Sequence, residues 1–186
     1  EGEDMEASLS KFMDIGQAFV EQMSGGAGMS MGMSDSGMNV VKVMRVKDVS
    51  KALSIVDEQM TFLNDAKWGI TTESIPVTVG AETSRAYRIK FDMEQMKKAF
   101  PAEFASTTGQ SFAGSLMQAD AQMGALLDAM QGPDGMIVRF ISKDDWMAIV
   151  VGDAKLLGTA RRAIARAGSA NASLDQALQT AAGAPV

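Results

Sequence analysis

Residues 136–151, MIVRFISKDDWMAIVV, decide how this chain folds. Two apolar runs, 136–141 and 146–151, flank the turn residues Ser142, Lys143, Asp144 and Asp145. Neither run alternates cleanly with polar residues, so both strands of this hairpin need cover on two faces. That pattern is expected of central strands, in a sheet with helices on at least one face.

Downstream, Gly152-Asp153 reads as a helix cap, and Leu156, Leu157, Ala160, Ala163, Ile164 and Ala167 recur at helical spacing up to Gly168. Ser173 and Gln176 form a capping box that opens a short last helix through Leu174 and Leu178. Upstream, Gly132-Pro133-Asp134-Gly135 breaks the chain after a helix predicted over 110–131, with Phe112, Leu116, Met123, Leu127 and Met130 inward.

A second hairpin precedes that helix. Ile75, Val77 and Val79 alternate, residues 80–83 turn, and Tyr87, Ile89 and Phe91 alternate again. Pro76 lacks a backbone donor, which assigns its strand to an edge or a bulge. Asp92 and Gln95 have capping-box spacing for a helix to Phe100, stopped by Pro101.

The segment 38–47, MNVVKVMRVK, is a single strand with Val41, Val43 and Arg45 on one side and Val40, Lys42, Met44 and Val46 on the other. Asp48 caps a helix carrying Val49, Leu53, Val56, Met60 and Leu63. At the start, Met5, Leu9, Phe12, Met13, Ile15, Phe19, Val20 and Met23 form one apolar helical stripe. The expected organisation is one α+β domain over 1–186, an amphipathic helix over 1–24 and a flexible Gly/Ser/Met loop over 25–37. Its order is α-β-α-ββ-α-ββ-α-α around a mainly antiparallel five-stranded sheet, a ferredoxin-like core with additions.

Composition narrows the chemistry. The 186 residues include no His and no Cys, which removes the commonest proton shuttle, the thiol nucleophile and most zinc or haem ligation. There is no nucleophile elbow, Walker loop or dinucleotide fingerprint, so the expectation is a protein that is not an enzyme. A formal net charge of −6 argues against nucleic acid, and no apolar run reaches the length of a membrane helix. With Glu1 first in place of an initiator Met, the expectation is a leader ahead of these residues. The lack of Cys suits an extracytoplasmic setting, periplasmic or secreted.

Sixteen Met residues leave the thioether as the abundant soft donor. Met29, Met31, Met33 and Met38 cluster in the Gly/Ser segment, and a flexible loop would let their sulfurs converge on Cu(I) or Ag(I). Two further groupings are ordinary by comparison. Lys155, Arg161, Arg162 and Arg166 read as the solvated face of a helix that could hold an anion. Asp134, Asp144, Asp145 and Asp153 read as turn and cap residues, not as an acid pair.

The segment 145–185, DWMAIVVGDAKLLGTARRAIARAGSANASLDQALQTAAGAP, resembles a recurrent segment of large exported bacterial proteins of unknown function. In that segment a strand ends in a Gly-Asp cap, followed by an Ala-rich helix and a Ser-Leu capped second helix. The last helix here lacks the aromatic residue of that pattern. The resemblance implies an extracytoplasmic module and assigns no functional residues. A partner-binding or structural role is the expectation, with self-association through the first helix a further possibility.

Overall fold

The computed structural model describes residues 2–34, 37–76, 84–99 and 135–167. The helix expected over 110–131, the last helix from Ser173, and Val77, Val79 and the turn at 80–83 lie outside the described residues. The described elements are α1 (Gly2–Gln22), β1 (Met23–Ser34), β2 (Gly37–Val46), α2 (Val49–Asp65), β3 (Ile70–Ser74), β4 (Ser84–Phe91), α3 (Met93–Ala99), β5 (Met136–Lys143), β6 (Trp146–Val151) and α4 (Leu156–Ala167). The fold is α+β, with a six-stranded sheet in the order β1-β2-β6-β5-β4-β3 and every pair antiparallel.

The expectation of five strands is corrected by β1, which occupies most of the segment read as a flexible loop. Its Gly and Ser content does suggest a loop, but β2 supplies a full ladder of partners from Ala27↔Met44 to Ser34↔Gly37. Tertiary pairing outweighs the weak strand preference of glycine. The crossover from β2 to β3 spans three strands, β6, β5 and β4. A ferredoxin-like split βαβ unit accommodates a single strand in that gap.

The β5–β6 hairpin lies in the sheet interior, as its two-faced apolar pattern requires. Met147, Ala148 and Val150 are all 0% exposed, although they alternate between opposite faces. On one face Met44, Val46, Val138, Phe140 and Met147 pack with Leu53, Val56 and Leu63 of α2 and Ile15 of α1. On the other, Val41, Val43, Ile141, Ala148 and Val150 pack with Ala160, Ala163 and Ile164 of α4. The alternation read for 38–47 therefore separates two cores, each large buried side chain contributing about 1.5–3 kcal/mol.

The caps follow the sequence. Asp48 accepts the Lys51 N–H at 3.0 Å to start α2. Asp92 accepts those of Glu94 and Gln95 at 3.0 Å to start α3. The first hairpin is shifted: β3 covers Ile70–Ser74, and the Ile75 N–H still donates to the Ala86 carbonyl at 2.9 Å. Its placement at the sheet edge agrees with Pro76 just beyond it.

The first helix packs on its own chain. Ile15 is 5% exposed, and Phe12 stacks with Phe62 of α2 and with Trp68. Part of its apolar stripe is thereby used within the chain, while Met13 and Val20 of the same stripe stay exposed.

Candidate binding edge

The sheet has two edges, and they are built differently. At β3 the Ile75–Ala86 hydrogen bond fixes the parity of the β3–β4 ladder, so odd-numbered β3 residues turn their backbone to β4 and Thr72 turns outward. Its central peptide groups, those of Thr72, are not left open. Asn64 of α2 donates through Nδ2 to the Thr72 carbonyl at 2.8 Å and accepts the Thr72 N–H on Oδ1 at 2.7 Å. Strand β3 is also short, bears Glu73 in an ion pair with Arg88 at 2.8 Å, and is followed by Pro76. These are the devices by which sheets blunt an edge.

At β1 those devices are missing among the described residues. Met23–Ser34 is 12 residues long and has no ionisable side chain and no Pro. It grows out of α1 through Ser24-Gly25-Gly26, where the register shifts between Met23↔Val46 and Ala27↔Met44. Gly25 and Gly26 sit at φ 103° and 59°, and a Cβ at Gly26 would meet the Trp146 ring at 3.3 Å. This bulge turns a helix directly into a strand.

Backbone parity can be followed across the sheet. The Val46 N–H donates to the Asp145 carbonyl at 2.8 Å, so even-numbered β2 residues turn to β6 and odd-numbered ones turn to β1. The Lys47 N–H donates to the Gln22 carbonyl at 2.7 Å, in keeping with that parity. Gly28, Ser30 and Gly32, the register partners of Val43, Val41 and Asn39, therefore face β2 with their backbones. Met29 and Met31 direct N–H and C=O to the open side. Their side chains are exposed at 58% and 65%.

The methionines singled out in the sequence meet on this ribbon, but in extended geometry. Met29, Met31 and Met33 hold alternate positions of β1 opposite Lys42, Val40 and Met38. Alternate strand positions are about 6.6–6.8 Å apart. A flexible loop could gather four thioethers at one point, whereas a strand holds the backbone positions 29, 31 and 33 in a row. Met38 packs partly into the core beneath α1 and α2. Among the described residues, no cluster of carboxylates forms a metal site.

The other sequence candidates are accounted for by local structure. Arg161, Arg162 and Arg166 are exposed on α4 opposite its buried Ala160, Ala163 and Ile164, and Arg162 donates to Thr159 Oγ1 at 3.3 Å. Lys155 lies before that helix, with its N–H donating to Asp153 Oδ1 at 2.9 Å. Asp145 pairs with Arg45 at 2.5 Å, and Asp144 holds a turn at φ 54°. Asp153 lies at the far end of β6, and Asp134 is outside the described residues.

Arg139 Nη1 donates to the Gly152 carbonyl at 2.6 Å. Burial pulls its guanidinium below the usual value, and nearby Asp153 opposes that shift. A second polar set joins α2 to β4: Asp57 accepts Tyr87 Oη, and Arg85 Nε donates to Asp57 at 3.3 Å. A groove of about 610 Å³ between α1 and α2, lined by Lys11, Glu58, Thr61, Phe62 and Asp65, is open and mixed in charge.

Strand β1 is not anticipated by the sequence analysis, although a short strand signal is present. Met29, Met31 and Met33 alternate with Ser30 and Gly32 at the two-residue period of a strand. The chain matches no protein-family model, no curated protein and no solved structure at a significant level. No helix among the described residues is long and apolar enough to cross a membrane.

Proposed function

We propose that this chain is a non-enzymatic partner-binding module of an extracytoplasmic bacterial protein, and that it docks its partner along the outer edge of β1. The observation that carries this reading is the contrast between the edges. Asn64 takes up the Thr72 peptide groups of β3, while Met29 and Met31 turn their backbone groups to the open side of an uncharged strand and carry exposed thioether side chains. Strand addition draws its affinity from such backbone groups, and Met adapts to varied apolar neighbours. The absence of His and Cys supports a role without catalysis, and the resemblance of 145–185 to exported bacterial proteins supports the setting.

Amide hydrogen exchange on a dilute sample tests the edge. The Met29 and Met31 amides should exchange far faster than that of Ser30, which faces β2. Protection of all three to the same degree would mean that the edge is closed, and the reading would fall.

A second reading is Cu(I) or Ag(I) binding by Met29, Met31, Met33 and Met38, favoured by the pairing of Met33 opposite Met38 and the exposure of Met31 beside them. Thioethers select these soft ions. An anaerobic Cu(I) titration against a competing chelator decides it: competition lost on changing all four Met to Leu supports a metal site, and no competition by the unaltered chain discards it.

A further inference from the structure

We propose that the occupant of the β1 edge is a second copy of this chain, its β1 running antiparallel about a two-fold axis at Ser30. The inference rests on the strand-docking reading above and names its partner. The sequence around Ser30, Gly28-Met29-Ser30-Met31-Gly32, reads identically in both directions. A two-fold antiparallel pairing centred there sets Ser30 against Ser30 of the partner subunit, Met29 against Met31 of the partner subunit, and Gly28 against Gly32 of the partner subunit. Thioethers then meet thioethers on one face, and small residues meet small residues on the other.

The backbone agrees with this register. Met29 and Met31 are the residues whose N–H and C=O point outward, so each can exchange both hydrogen bonds with its counterpart. Ser30 faces β2 and falls at a non-hydrogen-bonded position of the new pair. Charge also permits a second copy. Each chain has a formal net charge of −6, yet Met23–Ser34 contains no ionisable group, so like charges are not opposed along the seam. A C2 interface uses one patch twice and requires this kind of self-complementarity.

The pairing can be trapped. Across a non-hydrogen-bonded antiparallel pair the Cα atoms lie about 4.5 Å apart, within the roughly 4.4–6.8 Å that a disulfide spans. The chain has no native Cys, so Ser30→Cys introduces the only thiol. Ser54→Cys, on the exposed side of α2, is the control for chance collisions.

Sedimentation velocity from micromolar to submillimolar chain should show the mass doubling. Ser30→Cys should oxidise to a covalent dimer at least about tenfold faster than Ser54→Cys, because pre-association raises the effective thiol concentration. Met31→Pro removes an outward donor without touching the β1–β2 ladder, and Met31→Lys places a charge on the seam. Both should remain monomeric with unchanged far-UV circular dichroism.

A wild-type chain that is monomeric throughout would overturn the proposal. So would a dimer in which Ser30→Cys links no faster than Ser54→Cys, since a register centred elsewhere leaves that thiol without its mate. Exchange at Met29 and Met31 in a monomeric chain separates the two failures. Fast exchange leaves the edge open for a different protein, and slow exchange overturns strand docking as well.

Discussion

Asn64 brackets the peptide groups of Thr72, donating to its carbonyl at 2.8 Å and accepting its N–H at 2.7 Å. A single side-chain amide thus takes the place of a neighbouring strand at the β3 edge. The Thr72 hydroxyl adds two more ties, accepting from Asn64 Nδ2 at 2.9 Å and donating to the Met60 carbonyl at 2.8 Å. Asn64→Ala should remove the bracket at a cost of about 1–2 kcal/mol, since both Thr72 groups can turn to water. Urea denaturation measures the loss. Exchange at the Thr72 amide should accelerate in the same variant while the ladder amide of Glu73, which faces β4, stays slow.

Gly152 stands where the sheet's last strand leaves for α4. Its φ is 95°, and a Cβ there would lie 2.3 Å from Asn39 Oδ1 and 2.5 Å from the Met38 carbonyl. Asn39 is held in place, because its Oδ1 accepts the Asp153 N–H at 3.1 Å. Gly152→Ala should therefore cost about 3 kcal/mol, combining backbone strain with overpacking. Adding Asn39→Ala should recover little, since the Met38 carbonyl belongs to the backbone. Thermal denaturation of the single and double variants checks the order of stability.

The Tyr87 hydroxyl donates to Asp57 from a position in the core. Burial first, and then the Asp57 hydrogen bond and charge, raise its ionisation well above the ordinary phenol value of 10.0. The folded chain thus holds this proton more tightly than the unfolded chain does. Its contribution is complete below pH 10.0 and declines as the pH rises further, because only the unfolded state readily gives up the proton. Stability measured by denaturant should fall with pH across that alkaline range. Tyr87→Phe should flatten the fall and cost about 1 kcal/mol at neutral pH.

Much of this fold was legible where pattern and burial act together. Two apolar faces on 136–151 marked the central hairpin, and the alternation of Val41 and Val43 against Met44 and Val46 separated the two cores. Capping carboxylates marked the starts of α2 and α3. The loop expectation failed over 25–34 because Gly and Ser give little local preference for a strand, and the ladder with β2 outweighs it. The boundaries of β3 failed for a related reason. Thr71 and Thr72 are held by β4 and by Asn64, partners that lie far along the chain. The open edge was hidden because backbone direction depends on which side a strand is paired, and no run of side chains reports that.

The first helix provides a last prediction, since its sequence leaves open whether it packs on its own chain or on a neighbour. Phe12 reaches across to α2, with ring centroids 6.1 Å from Phe62 and 5.6 Å from Trp68, while Phe62 and Trp68 meet edge to face at 5.3 Å. Trp68 is 4% exposed. Phe12 itself keeps some contact with solvent, so Phe12→Ala should cost about 2 kcal/mol, below the roughly 3–5 kcal/mol of a fully buried ring. The cavity it leaves borders the indole, and Trp68 emission should shift to the red. A Trp146→Phe background isolates that signal, because Trp146 belongs to the opposite core beside α4. Oligomeric state gives the complementary readout: the helix packs within its own chain and the proposed seam lies on β1, so Phe12→Ala should lower stability without shifting the association measured by sedimentation. A variant that dissociates the dimer while leaving denaturation unchanged would place α1 at the interface and contradict its place in the core.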